Sequence, residues 1–244
     1  MFSWLWKQVS LRYDRRLLFY FIIVGFVPIL VFAMLAQNIS YQAARRQMEL
    51  QTENTIMNIS VSLSSRLSVY EEMLQELSND ESVRTFVATD VGFDEKKEEP
   101  SPETSKALRK LYDVVSGTTE YLAAHIVSSQ YAAGISTADI PLNYMKPFNQ
   151  NWGVFRKANE SETSVLRTND YNQNALPGVS FSMAEAIRDG EGNTIGYVVF
   201  DVYNEMIEDL LSEIEMSYDM NVYLSDNNHI LMYTAEEEGR SLVD

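Results

Sequence analysis

The stretch Asp189–Tyr203, DGEGNTIGYVVFDVY, decides how this chain folds. Its first part, DGEGNT, sets two glycines between Asp189 and Asn193, the chemistry of a tight turn. From Ile195 onward it is the most strand-like run in the chain, rich in β-branched and aromatic residues. The residues before the turn, Val179–Arg188 (VSFSMAEAIR), read as its partner strand, so the whole is a hairpin. Alternation puts Tyr197, Val199, Asp201 and Tyr203 on one face of the returning strand, and Val198, Phe200 and Val202 on the other. The second face is wholly apolar and suits packing against a helix. The first is mixed, as a pocket wall is. Two readings of Asp201 are open: a pocket-lining carboxylate, or an exposed or structural residue. An unpaired buried carboxylate is costly, so an internal Asp201 requires a cationic partner from the protein or from a ligand.

Outward from the hairpin the pattern stays mixed. TEYLAAHIVSSQ and YAAGIST read as two short strands, and Ser164–Arg167 (SVLR) as another. Between them PLNYMKPFNQNWGVFRKANES has two prolines around an aromatic-rich turn and a short helix from Trp152 to Asn159. Lys106–Val115 is helical in pattern. Residues 92–105, GFDEKKEEPSPETS, form a charged, proline-containing surface loop. After the hairpin, NEMIEDLLSEIEMS places Met206, Ile207, Leu210, Leu211 and Ile214 on one helical face, and NVYLSDNNHILMYT begins a second hairpin. A hairpin alone cannot bury a core, so these last residues are expected to open a second β-module of a longer protein.

At the other end, Leu17–Ala36 (LLFYFIIVGFVPILVFAMLA) holds no charge. At about 1.5 Å per residue it spans roughly 30 Å, the thickness of a bilayer core, and reads as a retained transmembrane helix. Lys7, Arg12, Arg15 and Arg16 precede it against Asp14, which places residues 1–16 in the cytoplasm and everything after about Gln37 outside. That leader carries +3 of a net charge of −16, so the rest carries −19. Such acidity repels phosphate backbones and excludes nucleic acid as a partner. The chain has no cysteine, which excludes disulfides and thiolate chemistry. From Ile39 to Ser78 there is no Gly or Pro, and Ile56, Ile59, Leu63, Leu67, Tyr70, Leu74 and Leu77 form a near-heptad stripe on a long amphipathic helix. That stripe suits packing on its own domain or a homodimer seam, and both readings are open. Asn79 and Asp80 offer a cap before a further helix, Glu81–Ala88.

The order of a basic start, one span, a long helix and an antiparallel sheet leading into a second one resembles the double Cache extracellular sensors. DRRLLFYFIIVGFVPILVFAMLAQNISYQ and LSSRLSVYEEMLQELSNDESVRTFV are similar to the start of membrane sensor histidine kinases of the YesM-like type. NWGVFRKANES resembles a segment near the middle of their membrane-distal module, and IRDGEGNTIGYVVFDVYNEMIEDLL its closing hairpin and exit helix. The resemblance implies an α+β fold with a PAS-like sheet around a small-molecule pocket and the long helix behind it. It divides the chain into a cytoplasmic tail (1–16), a span (17–36), an extracellular helix (37–78), a distal module (79–203) and a connecting helix with the start of a proximal module (204–244). It also implies that ligand binding outside is passed to a cytoplasmic output, a histidine kinase, with a chemoreceptor or diguanylate cyclase output as the alternative. A membrane-anchored extracellular binding protein is a third reading.

Catalytic motifs are missing from the sequence: there is no GxxxxGK, GxSxG or HExxH, and no phosphoacceptor or ATP-binding motif. The chain as given is therefore expected not to be an enzyme and to need no cofactor. The two histidines, His125 and His229, lack the neighbouring donors of a metal site; His125 reads as a satisfied sheet residue and His229 as exposed. Ligand contacts are expected where polar groups interleave with aromatics. Trp152, Phe155 and Arg156 fit, since helical spacing gathers them on one face, and an arginine can clamp a carboxylate. In Cache sensors of amino acids such a segment has a spacing near RxWYxxA, with an aspartate of the last strand holding the amino group. Here Gln150 stands where that arginine would be, and Arg156 follows the tryptophan. Asp201 is the candidate for the aspartate, with Tyr131 and Tyr144 as further pocket candidates.

Overall fold

The computed structural model describes residues 17, 20–89, 100–145, 151, 153–167, 178–212, 222–225 and 231–235. The chain divides into two compact units, Met1–Met57 and Asn58–Asp244. The cytoplasmic tail expected at 1–16 and Trp152, His229 and most of the expected 92–105 loop lie outside the described residues.

The described part of the first unit is helical. A π-helical turn, Ile22–Phe26, leads into helix α1, Val27–Asn79, which contributes its residues from Asn58 on to the second unit. Pro28 has no N–H to give, and the helix widens in the turn before it, with the Val27 N–H bonding the Ile22 carbonyl. One window of this helix has a mean hydropathy of 2.2 and none of it is buried by the protein. The helix runs on through positions 36–39 without a break, so the expected span and the expected extracellular helix are one element.

In the second unit α1 buries Tyr70, Leu74 and Leu77, with Ile59, Leu63 and Leu67 partly covered. Packing on its own domain therefore accounts for the stripe over these positions. Helix α2, Glu81–Ala88, begins at Asp80, whose carboxylate accepts from the amides of Ser82 and Val83. Burial raises the pKa of that carboxyl, but the Ser82 hydroxyl and the two amide bonds outweigh it and hold the group below its ordinary value. Helix α3, Pro102–Val115, starts from a Ser101 cap with proline in its first turn, where a missing N–H costs nothing.

Five strands follow: β1 Leu122–Ser128, β2 Gly134–Ser136, β3 Val165–Arg167, β4 Val179–Arg188 and β5 Thr194–Tyr203. They form one antiparallel sheet in the order β2-β1-β5-β4-β3, with β5 at its centre and helix α4, Gly153–Glu160, between β2 and β3 in sequence. The expected α+β fold with a PAS-like antiparallel sheet is the fold observed. The two faces of β5 differ as alternation requires. Val198, Phe200 and Val202 join Leu122, Ala124, Ile126, Phe181 and Met183 in the larger core with α1, α2 and α3. Tyr197 and Val199 join Val127 and Ala184 in a smaller core under α4. Each apolar side chain removed from water in these layers contributes about 1.5–3 kcal/mol at most.

Close approach of α2 to the sheet depends on Gly196, where an added Cβ would stand 2.7 Å from the Val127 carbonyl and 2.9 Å from the Val87 side chain. Helix α5, Asn204–Ser212, follows β5 directly and sends Met206, Ile207, Leu210 and Leu211 inward. Arg66 of α1 bonds Asp209 of α5 at 2.9 Å. The second hairpin is present as β6, Val222–Ser225, and β7, Leu231–Ala235.

Candidate functional site

Asp201 lies on the central strand, on the face turned toward α4, and is fully buried. The pairing register explains its company. Ser182 of β4 pairs with Asp201, so both side chains share that face. On β1, Ala123 pairs with Asp201 and His125 with Val199, which makes His125 the diagonal neighbour of Asp201 on the same face. Tyr144, from the turn between β2 and α4, arrives from above.

The resulting cluster is polar inside an apolar layer. One carboxylate oxygen of Asp201, Oδ1, accepts from the Tyr144 hydroxyl at 2.7 Å and from the Ser182 hydroxyl. The other, Oδ2, lies 3.1 Å from Nε2 of His125. The His125 ring is fixed on its far side by Ser136 of β2, whose Oγ is 2.7 Å from Nδ1. Rings line the group: His125 and Tyr144 meet edge to face at 5.5 Å and Tyr144 and Phe155 at 5.2 Å, while Phe155 and Tyr197 are tilted to each other at 4.7 Å. Burial holds the Tyr197 phenol above its ordinary pKa, against the lowering effect of its bond to Asn159 and of nearby Arg188. Burial, and then the charge of Asp201, does the same to Tyr203.

Helix α4 is held over this layer at its end. Nη2 of Arg188 donates to the carbonyls of Ala158, Asn159 and Ser161, at 3.4, 3.3 and 2.9 Å, and Tyr197 donates to Asn159 at 2.9 Å. A cation at the carbonyl end of a helix is favourable twice, through hydrogen bonds and through the helix dipole.

Of the residues expected from sequence, the structure brings together Asp201, Tyr144 and Phe155. It turns Arg156 away: that side chain is 52% exposed and sits 3.8 Å from Glu160, one turn along its own helix. The shared face expected for Phe155 and Arg156 fails because consecutive helical residues point about 100° apart, and the sheet claims the arc of Val154, Phe155 and Ala158. Tyr131 is half-buried just beyond Ser128, which pairs with Gly196, at the opposite end of β1 from Asp201. His125 departs from its expected role of a satisfied sheet residue. Nδ1 is bonded, but Nε2, although 3.1 Å from Asp201, is too far off line to make a hydrogen bond with any described residue. His125, Ser182 and Ser136 stand in the cluster around Asp201, where sequence reasoning did not place them. The available signal was parity: His125 and Ser182 interrupt their strands as Asp201 interrupts β5. Among the described residues no three metal-binding side chains gather.

No family model matches this chain. No curated protein matches it either. Among solved structures, the chain is similar to the ligand-binding domain of the Pseudomonas fluorescens chemoreceptor CtaA in complex with L-isoleucine. That pair is 15% identical, covers 76% of this chain and 68% of the other, and has a TM-score of 0.48. It is also similar to the sensory domain of the Campylobacter jejuni chemoreceptor Tlp3 (CcmL) with isoleucine bound, at 13% identity, 78% and 71% coverage and a TM-score of 0.48. The ligand-binding domain of Tlp3 in complex with L-valine matches at 13% identity over the same shares, with a TM-score of 0.49.

Proposed function

We propose that this chain is the sensory input region of a bacterial membrane receptor of the Cache type, anchored by its apolar helix and exposing the second unit outside the cell. A small molecule binds on the α4 side of the sheet, against Asp201, Tyr144 and Phe155. The observation that carries this reading is Asp201 itself: a wholly buried carboxylate, held by two hydroxyls with an imidazole nitrogen 3.1 Å away, in a layer of aromatic rings. Burying a charge is expensive, and a chain that keeps one at the centre of its sheet keeps it for recognition. The ligand class that matches is a cation, chiefly an ammonium, which replaces the Tyr144 hydroxyl at the carboxylate.

Binding there has a short path outward. Asp201 is three residues from the start of α5, and α5 is tied to α1 by the Arg66–Asp209 pair. A ligand shifts such an assembly only by binding one arrangement of these helices better than another. The output we infer is a histidine kinase of the YesM-like type working as a homodimer through the long helix; a chemoreceptor or cyclase region in the same reading frame would replace that part of the proposal.

The test is a thermal-shift screen of amines and amino acids on the full chain in detergent micelles. At a hundredfold excess over its dissociation constant a ligand stabilises by about 2.7 kcal/mol. A hit whose shift disappears in Asp201→Asn supports the site, and one that survives it moves the site elsewhere.

A further inference from the structure

His125 is the one buried side-chain nitrogen or oxygen among the described residues that makes no hydrogen bond, through Nε2. Buried polar atoms in folded proteins are almost always paired, so this one calls for a cause. The ring is not free to turn toward another partner, because Ser136 holds Nδ1 at 2.7 Å and Tyr144 packs edge-on against it. Ser136 is itself fixed, its Oγ accepting from the Ala138 amide at 3.0 Å. Nε2 is thus held beside Oδ2 of Asp201, 3.1 Å away, without bonding it.

We propose that His125 is a specificity-determining residue of this site: Nε2 and the Asp201 carboxylate together receive the N–H groups of a primary or secondary ammonium. The inference rests on the reading of Asp201 as the ligand's anchor. In the proposed tautomer Nδ1 donates to Ser136, and Nε2 is an acceptor 3.1 Å from Oδ2. A group that pairs with both carries at least two hydrogens on one atom, and beside a carboxylate a positive charge favours it. An alkylammonium has both, and the rings of Tyr144, Phe155 and Tyr197 are the apolar surface nearest the pair. A quaternary ammonium has the charge but nothing to donate, and leaves Nε2 as it was. Sites with a buried hydrogen-bonding group reject ligands that fail to pair it far more strongly than apolar sites reject a wrong shape.

The experiment compares isobutylammonium with its N,N,N-trimethyl form on the full chain in detergent, by thermal shift, in the wild type and in His125→Gln, His125→Phe and Asp201→Asn. The wild type should prefer the N–H-bearing amine by about tenfold or more, the worth of one hydrogen bond in a charged setting. His125→Gln, which still offers a polar atom, should keep part of that preference, His125→Phe should lose it, and Asp201→Asn should bind neither amine. A second measurement does not depend on variants folding: with 15N-labelled histidine the chain has two imidazoles, and isobutylammonium should move the Nε2 resonance of His125 but not that of His229. Equal binding of the two amines through Asp201, or an unmoved His125 resonance while the amine binds, overturns this inference alone. If neither amine shifts the melt of the wild type nor moves any resonance, the inference and the Asp201 reading fall together.

Discussion

Truncating Asp201 to alanine should destabilise the second unit, and most of that loss should depend on Tyr144. The carboxylate is fully buried and accepts from two hydroxyls, those of Tyr144 and Ser182. Its removal leaves both donors without that acceptor, and a buried donor left unpaired costs about 1–3 kcal/mol. Relief of the charge's own burial offsets part of this, so about 3 kcal/mol is the expected net loss. For a domain of this size that is a melting temperature lower by roughly 6–12 °C. Tyr144→Phe alone should cost about 1.5–3 kcal/mol, since its bond goes to a charged group. In the Asp201→Ala background the same change should cost less by the worth of that bond, because the hydroxyl it removes has already lost this acceptor. The four proteins form a double-mutant cycle, read by circular dichroism during thermal unfolding of the full chain in detergent, with an expected coupling of about 1.5–3 kcal/mol. Costs that add within about 0.5 kcal/mol would refute the claim that Tyr144 and Asp201 share a buried hydrogen bond. An Asp201→Ala protein as stable as the wild type would show that burying the charge costs as much as its bonds return.

Gly196→Ala should destabilise by about 1–3 kcal/mol through overpacking, since the new Cβ meets the Val127 carbonyl at 2.7 Å and Val87 at 2.9 Å; an unchanged melt would mean α2 sits further from the sheet. Asp80→Ala should cost about 1 kcal/mol as a lost helix cap. Its pH dependence has a definite sign: the folded carboxyl lies below its ordinary value, so its contribution is complete above that value and is lost as pH falls through the folded one. The Asp80→Ala penalty, measured by urea titration, should therefore be full at neutral pH and shrink under acid conditions; a penalty that grows as pH falls contradicts the assignment. With no native cysteine in the chain, Thr119→Cys on the exposed turn before β1 should react with a membrane-impermeant maleimide on intact cells; labelling only after lysis would reverse the proposed orientation.

The sequence by itself determined the kinds of element and most of their limits. Val179–Arg188 is a strand over the residues expected, the Asp80 cap forms where its side chain and the following helix require it, and the Asp189 turn closes the hairpin around Gly192. These features rest on interactions within a few residues, which local composition encodes. The two-faced character of β5 was equally legible, because alternation is a property of one strand. What a single strand cannot state is its neighbours. Tyr144 and Asp201 are 57 residues apart, and His125 meets Asp201 only because β1 lies beside β5 in one particular register. A shift of that register by one residue would turn His125 to the opposite face. Likewise helix spacing predicts one shared face for Phe155 and Arg156, and their separation came from which arc of α4 had apolar surface to bury. The tertiary structure thus decided the membership of the site, since the energies that select among registers and helix rotations come from packing between distant segments rather than from the segments themselves.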